Sequence, residues 1–170
     1  MKEKINPFEY SGKILSALKP GILLNTYDEK FNSMVIGWGH MGIIWNQPTF
    51  TVYVRQSRYT KPALENTGVF TVSAPLEGGL SPEVMKVCGS QSGRDVDKAS
   101  LFTLEPAETN NVPGVAEYPL TLECEVLYGR GQDLKRMPPQ VLNAFYGGNP
   151  DEEDFHSAYI GLIKDAYIIK

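Results

Sequence analysis

The segment from Leu120 to Tyr128 constrains the fold of this chain more than any other. Leu120, Leu122, Cys124, Val126 and Tyr128 alternate with Thr121, Glu123 and Glu125, and a repeat of two puts the first set on one face of a pleated strand and the second on the other. The first face is expected to join a core, the second to stay wet. Comparable pieces recur along the chain. Met34, Ile36 and Trp38 share a face within Asn32 to Trp38, and Phe50, Val52 and Val54 alternate with Thr51 and Tyr53. Gly21 to Thr26 follows Pro20, Val69 to Ala74 is closed by Pro75, and a last strand runs from about Ser157 to Ile169. In that strand Ala158, Ile160, Leu162 and Ile168 fall on one side and Tyr159, Ile163, Tyr167 and Ile169 on the other. Two apolar faces need a cover, either a helix or a second subunit.

Helical signals are short. Ser81-Pro82-Glu83 supplies a capping hydroxyl, a proline at the first helical position and an acid in the first turn. Thr60 is expected to cap a shorter helix through Asn66, stopped by Gly68. The connection carrying Gly39, Gly42 and Pro48 is too irregular for a helix, and Asn149 to Asp154 is read as a solvated loop. Six strands with short inserted helices and no regular strand–helix alternation predict a mainly β fold, an antiparallel Greek-key-like six-stranded barrel. With no repeat or linker, residues 1–170 form a single domain.

Charge narrows the partners. Twenty acidic against 16 basic side chains leave a net charge of −4, which argues against nucleic acid and anionic membrane as partners. The polar N-terminus and the lack of a bilayer-length apolar run lead to a cytoplasmic expectation. Cys88 and Cys124 make no disulfide framework. Together with His40 and His156 they contain no close ligand pair, so no metal site is expected. Cys124 points inward, whereas Cys88, near a loop, is the better candidate for an exposed thiol. Neither a nucleophile elbow nor an HExxH motif occurs.

Three stretches carry possible chemistry. Gly37-Trp38-Gly39-His40-Met41-Gly42 has the glycine spacing of a dinucleotide fingerprint, but no helix can follow it and no acid stands about 20 residues on. Its glycines suit a tight loop where backbone approaches something flat. Ser57-Arg58-Tyr59-Thr60 sets two hydroxyls and a guanidinium at an expected helix start, which suits a phosphate; a capping threonine beside an unrelated arginine would read the same way. Cys88-Gly89-Ser90-Gln91-Ser92-Gly93-Arg94-Asp95, closed by Lys98, is either a second anion cluster or a flexible loop between helices. His156, just before the last strand, is the candidate acid–base or orienting group.

In combination, Asn32 to Gly39, Pro48 with Phe50 to Val54, Arg55 to Thr60, and Gly68 to Val72 resemble the flavin reductase-like family of FMN-binding split barrels. The stretch from Cys88 to Lys98, and His156 leading into Tyr159-Ile160-Gly161, is similar to the flavoredoxin-type branch. The resemblance implies a homodimer with FMN near the subunit interface. It places Asn32, Ser33, Met34, Gly37, Trp38 and Gly39 along the flavin ring, and Arg55, Ser57, Arg58, Tyr59 and Thr60 at the ribityl phosphate, with Gly93, Arg94 and Lys98 as further cofactor contacts. It also implies NAD(P)H as a transient co-substrate that passes hydride to flavin N5, and a second electron acceptor. Many relatives follow the Tyr-Ile-Gly motif with an acid where this chain has Leu162, which leaves open whether the donor site or partner surface is the usual one. An FMN electron carrier without NAD(P)H oxidation of its own, and a non-redox ligand-binding barrel, are the alternatives.

Overall fold

Antiparallel pairing organises most of the chain, and the computed structural model describes all of residues 1–170. In order, the elements are β1 (Lys2–Lys4), α1 (Ser11–Leu18), β2 (Ile22–Tyr27), β3 (Phe31–Ile36), β4 (Gly39–Ile44), β5 (Gln47–Arg55), α2 (Thr60–Thr67), β6 (Val69–Ala74), α3 (Pro82–Ser90), β7 (Leu104–Glu105), β8 (Gly114–Val115), β9 (Leu120–Gly131), α4 (Pro139–Tyr146) and β10 (His156–Ile169). One sheet runs β3-β2-β6-β9-β10-β5-β4, with β1 added to β10, and β7 and β8 form a separate ribbon. The expected six strands are thus eight in the main sheet. Its end strands β3 and β4 are joined by Gly37 and Trp38 but are not hydrogen-bonded to each other, so the barrel is split rather than closed.

The core explains the curl. Met34 and Ile36 from one end of the sheet and Phe50, Val52 and Val54 from near the other pack in one cluster with Phe70, Leu122, Cys124, Tyr159 and Ile14 of α1. A Cβ on Gly161 would lie 2.5 Å from the Phe70 ring and 3.0 Å from the Cys124 Cβ; the missing side chain lets Phe70 cross the barrel. A smaller cluster on the other face of the sheet joins Leu23 and Phe31 to Val84, Cys88, Val115 and Tyr118. Cys88 is therefore buried, not exposed, because α3 lays it against the sheet.

Several expectations change. The Gly39 to Ile44 stretch is a strand, turned into β5 by Trp45 and Asn46, both in the left-handed region (φ 51° and 58°). Such two-residue turns match the twist of a hairpin, and tryptophan is not a residue that announces one. On β9, Thr121 and Glu123 are fully buried and only Glu125 of the polar face is exposed. A loop folds across that face: the Glu123 carboxylate accepts from the amides of Glu108 (2.9 Å) and Thr109 (2.7 Å) and from the Thr109 hydroxyl (2.6 Å).

Ser81 caps α3 as expected, accepting from the Val84 amide, and Gly68 ends α2 in the left-handed region. Thr60 does not cap α2. Tyr59 holds that position, and the Thr60 hydroxyl instead accepts from the Asn32 side-chain amide at 2.9 Å.

Candidate functional site

The two anion-binding stretches of the sequence, separate along the chain, face one cavity. The turn after β5 brings Ser57, Arg58, Tyr59 and Thr60 to it, and the segment after α3 brings Gly93, Arg94 and Lys98; Asn32 and Met34 of β3 form its floor. Its volume is about 150 Å³ and no carboxylate lines it. Three cations thus converge in a chain of net negative charge. The Arg58 guanidinium carries no salt bridge, and Arg94 stacks over the Tyr59 ring at 5.2 Å. Lys98 is only 3 % exposed, and its ammonium donates to the Ser33 carbonyl at 2.8 Å with no acid to balance it. Burial pushes Lys98 below the ordinary lysine value, with the Cys88 thiol opposing and Arg58 reinforcing.

Two further details point to a ligand. The buried Asn32 Oδ1 has no partner, and an unpartnered buried acceptor or donor costs free energy unless something completes it. A Cβ on Gly93 would lie 2.2 Å from that same oxygen and 2.6 Å from Tyr59, so glycine keeps the cradle open. Unpaired cations, hydroxyls and a close backbone fit a phosphate monoester.

Beyond the cradle the cleft turns aromatic. Met34 and Arg58 also line a neighbouring cavity of about 140 Å³ with Trp38, Tyr53, Arg55 and His156. Trp38 and Gly37 separate it from a larger cavity of about 640 Å³ bounded by Leu15, Leu18, His40, Tyr53 and Gln132, as well as Gly39. Phe145 meets Trp38 edge to face (centroids 5.1 Å apart, 88°) and His156 lies against it at 4.6 Å. The cofactor residues named from the sequence, and His156, therefore line one or another of these three adjoining cavities, except Ser33, which reaches the first only through its carbonyl on Lys98.

Not all of them offer free donors. Arg55 donates to the carbonyls of Asp154 (2.8 Å) and Phe145 (2.9 Å) and lies over the Tyr146 ring. The Ser57 amide and hydroxyl both donate to the Asp154 carboxylate, at 2.8 and 2.9 Å. Asp154 therefore leaves the solvated loop expected for it and ties that loop to the cleft. The helix start is likewise partly satisfied, since the Arg58 and Lys61 amides donate to the Arg55 and Arg58 carbonyls.

The sequence reading missed Tyr146, Phe145 and Gln132. Helix α4 presents the first two, and its signal was available: Pro139 at the first helical position and Gly147 in the left-handed region just past the end (φ 62°). The Tyr146 hydroxyl donates to Gln132 Oε1 at 2.7 Å and meets His156 Nδ1 at 2.8 Å.

Burial lowers the His156 imidazole from 6.5 to about 4; Arg55 adds to the effect, Asp154 opposes it and Arg58 adds again. Between those values the unfolded chain binds the extra proton, so this group's contribution is complete above about pH 6.5 and is lost as pH falls toward 4. Because the ring is only half-buried, the expected loss is about 1–2 kcal/mol rather than the full shift. Urea midpoints at several pH values test it. His156→Gln is expected to flatten this part of the profile; an unchanged slope would assign the effect elsewhere.

Fold and cleft together define a split-barrel protein in which an acid-free cationic cradle adjoins an aromatic cleft. A family model described as the flavin reductase like domain matches residues 16–161, and the chain belongs to that family. Among solved structures it is similar to flavoredoxin from Methanosarcina acetivorans (28 % identity, TM-score 0.65, covering 89 % of this chain and 69 % of the other). Flavoredoxin of Desulfovibrio vulgaris is comparable (25 %, TM-score 0.64, 89 % and 70 %). An FMN-binding domain of a flavin reductases-like enzyme from Shewanella baltica shares the fold (18 %, TM-score 0.62, 99 % and 77 %). No curated protein matches. No helix is long and apolar enough to cross a membrane.

Proposed function

We propose that the protein is an FMN-dependent oxidoreductase that takes electrons from NAD(P)H and passes them to a second acceptor. The observation that carries this reading is the acid-free cradle of Arg58, Arg94 and buried Lys98, which shares Met34 and Arg58 as walls with the aromatic cleft at Trp38. FMN supplies reversible hydride and single-electron chemistry when bound. The protein's part is to hold and orient: the cradle neutralises a phosphate, and Trp38 with Met34 sets an apolar wall for a flat ring system. The cavity of about 640 Å³ beyond Trp38 is large enough to admit a nicotinamide ring. The Shewanella baltica neighbour is named for FMN binding, which agrees with this assignment.

A second reading is an FMN electron carrier that does not itself oxidise NAD(P)H. The two flavoredoxin neighbours, at 28 % and 25 % identity, favour it. One experiment separates the two. Protein reconstituted with FMN is mixed anaerobically with NADH or NADPH, and bleaching of the flavin absorbance is expected within seconds. Persistent yellow colour with both donors would leave the carrier; failure to retain FMN in preference to riboflavin would end both readings.

We also infer a homodimer. Ala158, Ile160 and Leu162 on the outer face of β10 are only half-covered, Tyr128 of β9 is exposed, and Ile43 and Trp45 stand 71 % and 55 % exposed at the β4–β5 turn. An apolar surface of this kind marks an association site. Ile160→Asp is expected to convert a species of twice 18.9 kDa into a monomer by light scattering. Wild-type protein already monomeric would dismiss the idea.

A further inference from the structure

His156 sits where the aromatic part of the cleft meets α4, and only one of its ring nitrogens has a protein partner. Nδ1 meets the Tyr146 hydroxyl at 2.8 Å, while that hydroxyl gives its single hydrogen to Gln132 Oε1 at 2.7 Å. A phenol has one hydrogen to donate. With that hydrogen on Gln132, Tyr146 can only accept from the imidazole, so the ring proton belongs on Nδ1 and the lone pair on Nε2.

The surroundings agree. The groups that face the ring are Arg55 from β5, Arg58 from the turn after it, Asp154 from the loop before β10, Tyr146 from α4 and the Trp38 ring. Arg58 shares the small cavity with His156, and a lone pair is a better neighbour for a guanidinium than an N–H. The ring also stays uncharged at neutral pH, because burial and the two arginines outweigh Asp154.

We propose that Tyr146 and Gln132 are positioning residues that lock His156 as the Nδ1–H tautomer, and that Nε2 is the acceptor in the cleft that selects an N–H or O–H donor of the bound cofactor. The ligand half of this inference rests on the FMN reading; the tautomer half does not. Tyr146 is 4 % exposed and lies behind the imidazole, so its effect on binding passes through His156.

The test begins on the cofactor-free chain. With only two histidines, and His40→Gln to assign them, long-range proton–nitrogen correlations identify the state of each His156 nitrogen. Wild type is expected to show a protonated Nδ1 and a bare Nε2 at pH 7, and Tyr146→Phe to lose that single tautomer. FMN titration follows. Loss of one neutral hydrogen bond is expected to raise the Kd about 3- to 10-fold in both His156→Phe and Tyr146→Phe. His156→Gln, whose side-chain oxygen can stand near the place of Nε2, is expected to recover most of the affinity. A wild-type Nε2–H tautomer would overturn the relay. Unchanged FMN affinity in His156→Phe and Tyr146→Phe, in folded protein by amide spectra, would overturn the acceptor role. Wild type that binds no FMN would defeat the cofactor reading and the acceptor role together, with the tautomer decided by the first measurement alone.

Discussion

Lys98→Met is expected to weaken FMN binding about 10- to 100-fold while making the cofactor-free protein harder to unfold. The two effects have one cause. Lys98 is 3 % exposed and its only partner is the Ser33 carbonyl. No carboxylate lines the cavity it shares with Arg58 and Arg94. An ammonium held out of water without a counter-charge destabilises the empty fold by on the order of several kcal/mol even after relaxation, against roughly 1 kcal/mol recovered from one hydrogen bond. Methionine keeps the unbranched shape and removes the charge, so the empty protein is expected to gain about 1–2 kcal/mol in urea unfolding. When the phosphate is present the balance reverses. A charge-assisted contact is worth about 1.5–3 kcal/mol, which gives the expected loss of affinity. A purely structural lysine would show the opposite pattern, with lower stability and unaltered FMN titration. That result would remove Lys98 from the site.

The cradle was legible because the residues that make it are chemically loud. Arg58 between hydroxyls and Gly93-Arg94 among small residues read as anion sites from their types alone, and the fold added that they face each other across Asn32. Arg55 could not be separated from Arg58 in the sequence, since both are cations in one turn. Only the distances to Asp154 and Phe145 show that Arg55 braces α4 and the loop before β10.

The α4 residues were silent for a different reason. Tyr146 and Gln132 act by a hydrogen-bond chain formed across elements 14 residues apart, and no local spacing encodes such a meeting. The same limit explains Cys88 and Glu123. Alternation shows which side chains share a face, but not whether a helix or a loop will cover that face. Where the cover came from the strand itself, as with Leu122 and Cys124 in the barrel interior, the reading from alternation agrees with the structure.

Glu123 is therefore expected to carry a large stability effect outside the cleft. Its carboxylate lies beneath the loop of Glu108 and Thr109, accepts from two amides and one hydroxyl, and has no contact with solvent. Burial works to raise its pKa, but the bonds from the Thr109 hydroxyl and from the two amides outweigh this and hold the carboxyl below its usual 4.5. Glu123→Ala removes three acceptor contacts at once and leaves two amides facing an apolar gap. A loss on the order of 3–5 kcal/mol is expected. Glu123→Gln keeps the volume but points an amide hydrogen at a donor, and a loss of about 1–2 kcal/mol is expected. The pH sign follows from the lowered value. Below 4.5 the unfolded carboxyl takes up a proton that the folded one still refuses, so wild-type stability from this group is complete above that pH and falls as acid is added. Glu123→Gln lacks that decline. Urea unfolding of the three proteins at pH 7 and again near pH 3.5 measures both effects. If wild type and Glu123→Gln differ by the same amount at the two pH values, the buried carboxylate does not hold the loop by its charge.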